Sequence, residues 1–273
     1  MWTKITRPQC RREGLRYSSD MTEAEWHLIE PLFPAPAKLG RPRTTDLRLV
    51  LNGILYISTT RSQWRLLPKD FPPMSTVQRF FYRWRDDGTL NQINHLLVIH
   101  TRERMGREAS PSAGVIDSQS VKITEAGGPR GYDAGKCNKG RKRHFLTDTN
   151  GCWLARSSMP PISRTETARR PCSPRSARPC PWLRHVFADG GYAEPKLETA
   201  LARIGTWSLE IIKRSDTAKG FELLPRRWVV ERTIAWLNRN RRLAKDFETT
   251  IESAVAWILI ASIKLLSRRA ARA

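Results

Sequence analysis

Three acidic residues stand where acids are otherwise scarce. Asp117 closes the apolar segment GVID, and Asp189 closes VFAD directly before Gly190-Gly191. Glu231 lies in RRWVVERTIAWLNRNRRL, a stretch whose charge is otherwise entirely positive. A carboxylate at the end of a buried strand costs desolvation unless it is paired or bound to a cation. In a chain with 48 Lys and Arg, a salt bridge explains any one of the three. As a set they have a further use. Two hard cations about 4 Å apart need several carboxylate oxygens, and such a pair stabilises both the attacking and the leaving oxygen of a phosphoryl transfer. Magnesium suits the role, because it takes few protein ligands and leaves positions for water and phosphate. No His or Cys constellation competes. The five cysteines, Cys10, Cys137, Cys152, Cys172 and Cys180, form no CxxC pair and have no His at ligand spacing. They support neither a zinc site nor a disulfide framework and fit a reducing compartment.

The elements that must position these acids are carried by a strongly basic chain of 273 residues, with a formal net charge of +22 and a pI near 10.7. A polyanion is the expected partner, nucleic acid first. Residues 1–20 read as a basic tail without the apolar run of a signal peptide, and Met21, just before a helix start, is a candidate start codon. Thr22 and Glu25 form a capping box ahead of Trp26, Ile29, Leu32 and Phe33, a face that Pro34 and Pro36 terminate. Leu47, Val50, Leu51, Ile54 and Leu55 repeat the helical period. STVQRFFYRWRDDG resumes it with Ser75 as the expected cap, Val77, Phe80, Phe81 and Trp84 inward, and Gln78, Arg79, Arg83 and Arg85 outward. A short helix with an apolar back and an Arg-rich front, following another helix after a turn, suits a helix-turn-helix facing a major groove. Arg79 and Arg83 are its candidate DNA contacts. A further helix, TLNQINHLLVIHTRERMG, completes an all-α domain over 21–108.

From Ala113 the period changes. AGVID, SQSVKIT, RHFLTDTNG and CWLAR read as short strands, and HVFADGG and LEIIKR as two more, with helices over KLETALARIG and from about Leu224 to Leu243. Strand hairpins followed by alternating strand and helix predict an α/β domain over 109–273, a mixed sheet flanked by helices. The most apolar run, Ile251 to Leu266, carries Glu252 and Lys264 and is shorter than a bilayer needs. It reads as a buried helix opened by a capping box, Thr249 with Glu252.

GVIDSQSVK, RGYDAGKCNKGRKRHFLTDT, VFADGGYA and RRWVVERTIAWLNRNRRLAKDFE, in that order, resemble the motifs of bacterial insertion-sequence transposases of the IS-five type. MTEAEWHLIEPLFP, GRPRTTDLR, QWRLLPKDFPP and TVQRFFYRWRDDGTL are similar to that family's N-terminal helical domain. The resemblance implies a DDE enzyme with a ribonuclease-H-like core, and it places the catalytic, metal-holding triad on Asp117, Asp189 and Glu231. The family's Arg four residues before the Glu falls on Arg227. Leu224 and Asn238 stand where wider relatives have Tyr and Lys, and Arg239 can replace the Lys charge. The implied activity is phosphodiester hydrolysis at the element's end followed by strand transfer, with two Mg2+ ions for which Mn2+ can substitute. The implied partners are terminal inverted repeats, target DNA and further copies of the chain, in a bacterial cytoplasm at the nucleoid and without a membrane. Lys136, Lys139, Arg141, Lys142 and Arg143, with Arg227, Arg239, Arg241 and Arg242, are candidate phosphate contacts, whose affinity would fall steeply with salt. Two other readings stand beside this one: a decayed, non-catalytic DNA-binding remnant, and a nuclease of RNA–DNA hybrids, which would not need the N-terminal helices.

One stretch resists the pattern. SMPPISRTETARRPCSPRSARPC, residues 158–180, offers almost nothing to a core, and Pro160, Pro161, Pro171, Pro174 and Pro179 forbid the helix the family has there. Its codons can be written so that a shifted frame reads His-Ala-Ala-Asp-Ile-Gln-Asp-Arg-Asp-Gly-Ala, similar to the family's text, and continues as an amphipathic helix. Two compensating frameshifts, near Ser157 and Cys180, are therefore expected to enclose the segment. A few Leu or Ile side chains lost from the sheet, at ~1.5–3 kcal/mol each, would consume most of a domain's net stability, so weak or absent activity is expected.

Overall fold

The computed structural model describes residues 12–36, 43–125, 128–133, 138–154, 182–192, 208–212 and 227–272. They fall into two compact units. The first is built on residues up to 106 together with 239–243 and 256 onward, and the second on 107–238 with 244–255. The division therefore differs from a cut at 108/109, because two C-terminal pieces belong to the helical unit.

In the helical unit, α1 (Glu23–Ile29) opens with the expected capping box. Thr22 Oγ1 accepts from the Glu25 N–H at 3.3 Å, and the Glu25 carboxylate accepts from the Thr22 N–H at 3.1 Å. Residues ahead of it, read as a tail, are tied down: Arg12 reaches Glu25 at 2.8 Å, and the Tyr17 hydroxyl donates to Asp70 at 2.7 Å. α2 (Leu47–Thr60) is capped by Asp46, whose Oδ1 accepts from the Arg48 N–H at 2.7 Å. α3 (Met74–Asp86) starts before the expected cap Ser75, because the Pro73 carbonyl already accepts from the N–H groups of Thr76 and Val77. Its apolar face is buried as the spacing requires. α4 (Thr89–Arg104) follows Gly88. The core of this unit centres on Trp257, which stacks on Phe81 at 4.4 Å and lies 5.6 Å from Trp64.

The second unit is a five-stranded mixed sheet in the order β2-β3-β1-β4-β5. β1 (Ala113–Lys122) pairs antiparallel with β3 (Asn138–Asp148), and β3 pairs antiparallel with β2 (Gly131–Asp133). β1 pairs parallel with β4 (His185–Asp189), and β4 with β5 (Ser208–Ile212). Two expectations change here. GVID and SQSVK are one continuous strand, because β3 accompanies β1 from Gly114↔Asp148 to Lys122↔Gly140, so Asp117 is mid-strand rather than terminal. Such close pairing needs Gly140, where a Cβ would lie 2.0 Å from the Val121 carbonyl oxygen. CWLAR is not a strand within its described residues; Trp153 makes only an isolated bridge to Thr147.

α5 (Arg227–Leu237) packs on β1, β3 and β4 through a face that includes Val229, Val230, Thr233 and Ile234. Thr233 Oγ1 donates to the Gly151 carbonyl at 3.1 Å, and Gly151 (φ +82°) leaves no room there for a Cβ. The helix ends at Leu237, short of Leu243. Asn238 and Asn240, poor helix formers, precede a separate 3-10 turn over Arg241–Leu243. α6 (Ile251–Ala270) is capped by Thr250, whose hydroxyl accepts from the Ser253 N–H at 3.2 Å, and not by Thr249. The expected helix over KLETALARIG, the start of the helix from Leu224, and all of 157–180 lie outside the described residues.

Candidate active site

Parallel pairing of β1 with β4 sets Val115 level with Phe187. Asp117 and Asp189 lie two residues beyond this last pair, so the same register carried on brings them level, and the charge of Asp189 acts on Asp117. Side chains two apart share a sheet face, and neighbouring strands lie about 4.8 Å apart, so both carboxylates rise side by side on one face. The third acid comes from α5, the helix packed on these strands. Arg227, in its first turn, reaches Glu231 one turn on through Nε at 3.2 Å and Asp189 through Nη2 at 3.5 Å. One guanidinium thus joins the second and third acids.

Asp117 is partly enclosed. Burial pushes its carboxyl above the ordinary value, and the negative charges of Asp189 and Glu231 add to this. The Ser118 N–H, which donates to Asp117 Oδ1 at 2.7 Å, and Arg227 oppose it. The side chains of Asp189 and Glu231 are 25% and 51% exposed. The arrangement has more negative charge than Arg227 neutralises, and its oxygen donors suit a hard divalent cation. Among the described residues, no three acidic, His or Cys groups are drawn together tightly enough to enclose an ion as they stand.

Two side chains that sequence reading passed over lie behind this cluster. His144 pairs across strands with Ser118, the neighbour of Asp117 whose side chain points to the other face. Its Nδ1 lies 2.8 Å from the Tyr192 hydroxyl. Burial lowers His144 to about 4, so it is neutral at physiological pH, and burial raises Tyr192. The available signal was Tyr192 itself, three residues after Asp189 in ADGGYA.

The basic candidates separate into two groups. Arg79 and Arg83 are exposed on α3 and, with Arg43, Pro34, Pro36 and Trp84, line a groove of about 710 Å3. Lys139 and Lys142 are exposed on β3, and Arg239 and Arg241 are exposed in the helical unit. Lys136 lies outside the described residues. Arg141, Arg143 and Arg242 depart from the expected phosphate role because protein acceptors and rings engage them. Arg141 and Arg143 are buried against Asp246 at 3.1 and 3.7 Å, and Arg141 also donates to the carbonyls of Pro129 and Thr249. Arg242 stacks over Trp257 at 4.4 Å and reaches the Ser62 carbonyl.

A mixed sheet with acids level on its central parallel strands, and a third acid on the helix across them, defines the ribonuclease-H-like class of phosphoryl-transfer folds. Residues 108–266, more than half of the chain, match the family "Transposase DDE domain", and residues 21–94 match "Putative transposase of IS4/5 family". The chain belongs to the DDE-domain transposases of insertion sequences. It is similar to the "Putative transposase for insertion sequence element IS402" of Burkholderia cepacia, with 34% identity over 44% of this chain and 59% of that protein. It is also similar to "Uncharacterized protein y4sN" of Sinorhizobium fredii, with 29% identity over 45% of this chain and 89% of that one. A third relative is "Insertion element IS402 uncharacterized 16.2 kDa protein" of Burkholderia cepacia, with 31% identity over 37% and 72%. The chain thus spans little more than half of the IS402 transposase. No solved structure matches it. No described helix is long and apolar enough to cross a membrane.

Proposed function

We propose that the chain cuts a phosphodiester at the ends of its insertion sequence and joins the freed 3′ hydroxyl to target DNA, with Asp117, Asp189 and Glu231 as the catalytic carboxylates. The observation that carries this reading is the parallel register that pairs Val115 with Phe187, two residues before Asp117 and Asp189, with Glu231 tied to Asp189 through Arg227. The same three residues would hold the metal, two Mg2+ or Mn2+ ions. When bound, such ions supply Lewis acidity that activates a water or hydroxyl and neutralises the leaving oxygen. Asp117, fixed by the Ser118 N–H, forms the rigid side of the site. Glu231, half exposed on its helix, forms the adjustable side. Arg227 would exchange its ion pairs with the carboxylates for a DNA phosphate, a charge-assisted contact of the stronger kind.

Arg79, Arg83, Lys139, Lys142, Arg239 and Arg241 are the exposed cations proposed to bind DNA, the first two at the terminal inverted repeat. Paired ends call for more than one protomer, so a homo-oligomer on DNA is part of the proposal. Asp189→Asn tests it: metal-dependent cleavage and strand transfer should vanish in an assay on element-end DNA, while gel-shift affinity for the same duplex stays unchanged. Retained strand transfer in that variant would defeat the assignment.

A further inference from the structure

Asp117 and Asp189 stand on neighbouring strands, yet each is fixed by pairing to a different partner. β1 pairs with β3 through Asp117↔Phe145, and β4 pairs with β5 through Asp189↔Ile212. Between β1 and β4 the pairing ends at Val115↔Phe187, two residues short of both acids. Among the described residues, then, no ladder pair clamps one half of the sheet to the other at the acids themselves. Tyr192 does cross, from the turn Gly190–Tyr192 that directly follows Asp189. It is 2% exposed, and its hydroxyl lies 2.8 Å from Nδ1 of His144 on β3, with the two rings edge to face at 5.7 Å. β3 lies on the far side of β1 from β4, so the link spans two strand spacings, about 10 Å. Midway, the Ser118 side chain, in register with His144, also hydrogen-bonds to Tyr192. His144 Nε2 is buried and meets no partner among the described residues, so Nδ1 carries the polar contact of the ring.

We propose that the Tyr192–His144 bond is a strut, holding the Asp189 half of the sheet to the Asp117 half at the spacing their carboxylates need to share a divalent cation. This rests on the proposed function. Both side chains are positioning residues, acting through the carboxylates rather than on substrate. Carboxylates that share an ion must keep their separation within a fraction of an ångström, and hydrogen bonds outside the ligands set it. The ladder alone does not, because it stops before the acids, and twist rotates neighbouring strands away from each other beyond their last pair. Packing alone does not need these residue types. Phe has the same ring as Tyr192, and Leu in place of His144 would spare the desolvation of an imidazole. Two polar groups in a buried place are instead matched to each other, and what a hydrogen bond adds to packing is direction.

The test compares the full-length parent chain with Tyr192→Phe, His144→Leu, the two combined, His144→Asn and Asp189→Asn. The probe is Mn2+ without DNA, its free fraction read by electron paramagnetic resonance, with the metal-free thermal midpoint and duplex affinity measured alongside. Tyr192→Phe and His144→Leu should each weaken Mn2+ binding roughly tenfold, the lower end for losing a supporting hydrogen bond around metal ligands. The combined variant should lose no more than either alone, since both changes remove one bond. His144→Asn, whose amide can meet the hydroxyl from near the position of Nδ1, should restore most of the affinity, which lost packing would not allow. Duplex affinity should stay unchanged throughout. Unchanged Mn2+ affinity in Tyr192→Phe, whether or not its midpoint falls, or additive losses in the combined variant, would overturn the strut alone where Asp189→Asn still abolishes binding. A parent chain that binds Mn2+ no better than Asp189→Asn would overturn the strut and the proposed metal-holding role of the carboxylates together.

Discussion

Charge by itself does not tell a residue's task; surroundings do. Asp117, Asp189 and Glu231 were legible in the sequence because each is an acid isolated among apolar or basic neighbours, where a solvated surface acid is a poor explanation. Arg141 and Arg143 were not legible, because a run such as KGRKRH has the same composition whether its arginines face solvent or a buried partner. The partner, Asp246, is about a hundred residues away and carries no local mark. The pair is internal: side-chain exposure is 4% for Arg141 and 1% for Asp246. Asp246 also bonds through its backbone to Lys122 and Thr124 at the end of β1. Asp246→Ala should therefore lower unfolding free energy by about 3–5 kcal/mol, as removal of one member of a buried ion pair does, in a urea denaturation series. An unchanged midpoint would mean that the two arginines are solvated after all.

At the scale of elements, the reading succeeded where a local rule had no rival. The Thr22–Glu25 box had none, and it forms. At α6, two threonines compete for one cap, and Thr250 takes it while the Thr249 carbonyl serves Arg141. β1 was split in two because its second half is polar; antiparallel pairing with β3 holds it straight regardless. α6 also contains a liability that periodicity hides. Lys264 is buried, its ammonium donating to Thr59 Oγ1 and to Asn240 Oδ1. Burial, then Arg268 and Arg12, lower its pKa to about 7 from 10.5, with Glu25 opposing. Between those values the unfolded chain holds a proton that the folded chain has released, so stability rises with pH across the window and the buried charge weighs fully below about 7. Lys264→Met should raise the thermal midpoint at pH 6.5, with the gap to the parent narrowing as pH climbs toward 10. A variant less stable than the parent throughout would show that the ammonium is a net asset.

For the whole molecule, the fold class was readable because hairpin-first, then alternating, segments admit few sheet topologies. The membership of 239–243 and 256 onward in the helical unit was not, since it is a matter of long-range packing. The proline-rich stretch over 158–180 is proposed to be out of frame. Sequencing the gene should show a single-base gain or loss near codon 157 and a compensating one near codon 180. A chain restored between them should cleave element-end DNA faster in magnesium; equal rates would end the idea. The register of β1 on β4 says why such a lesion could persist at all. Asp117 and Asp189 are aligned by pleat, not by the text that links their strands, so a lineage can scramble that text and keep the pair abreast. A single residue gained or lost inside either strand would instead turn one acid to the far side of the sheet, and selection would find no half-working intermediate to rescue.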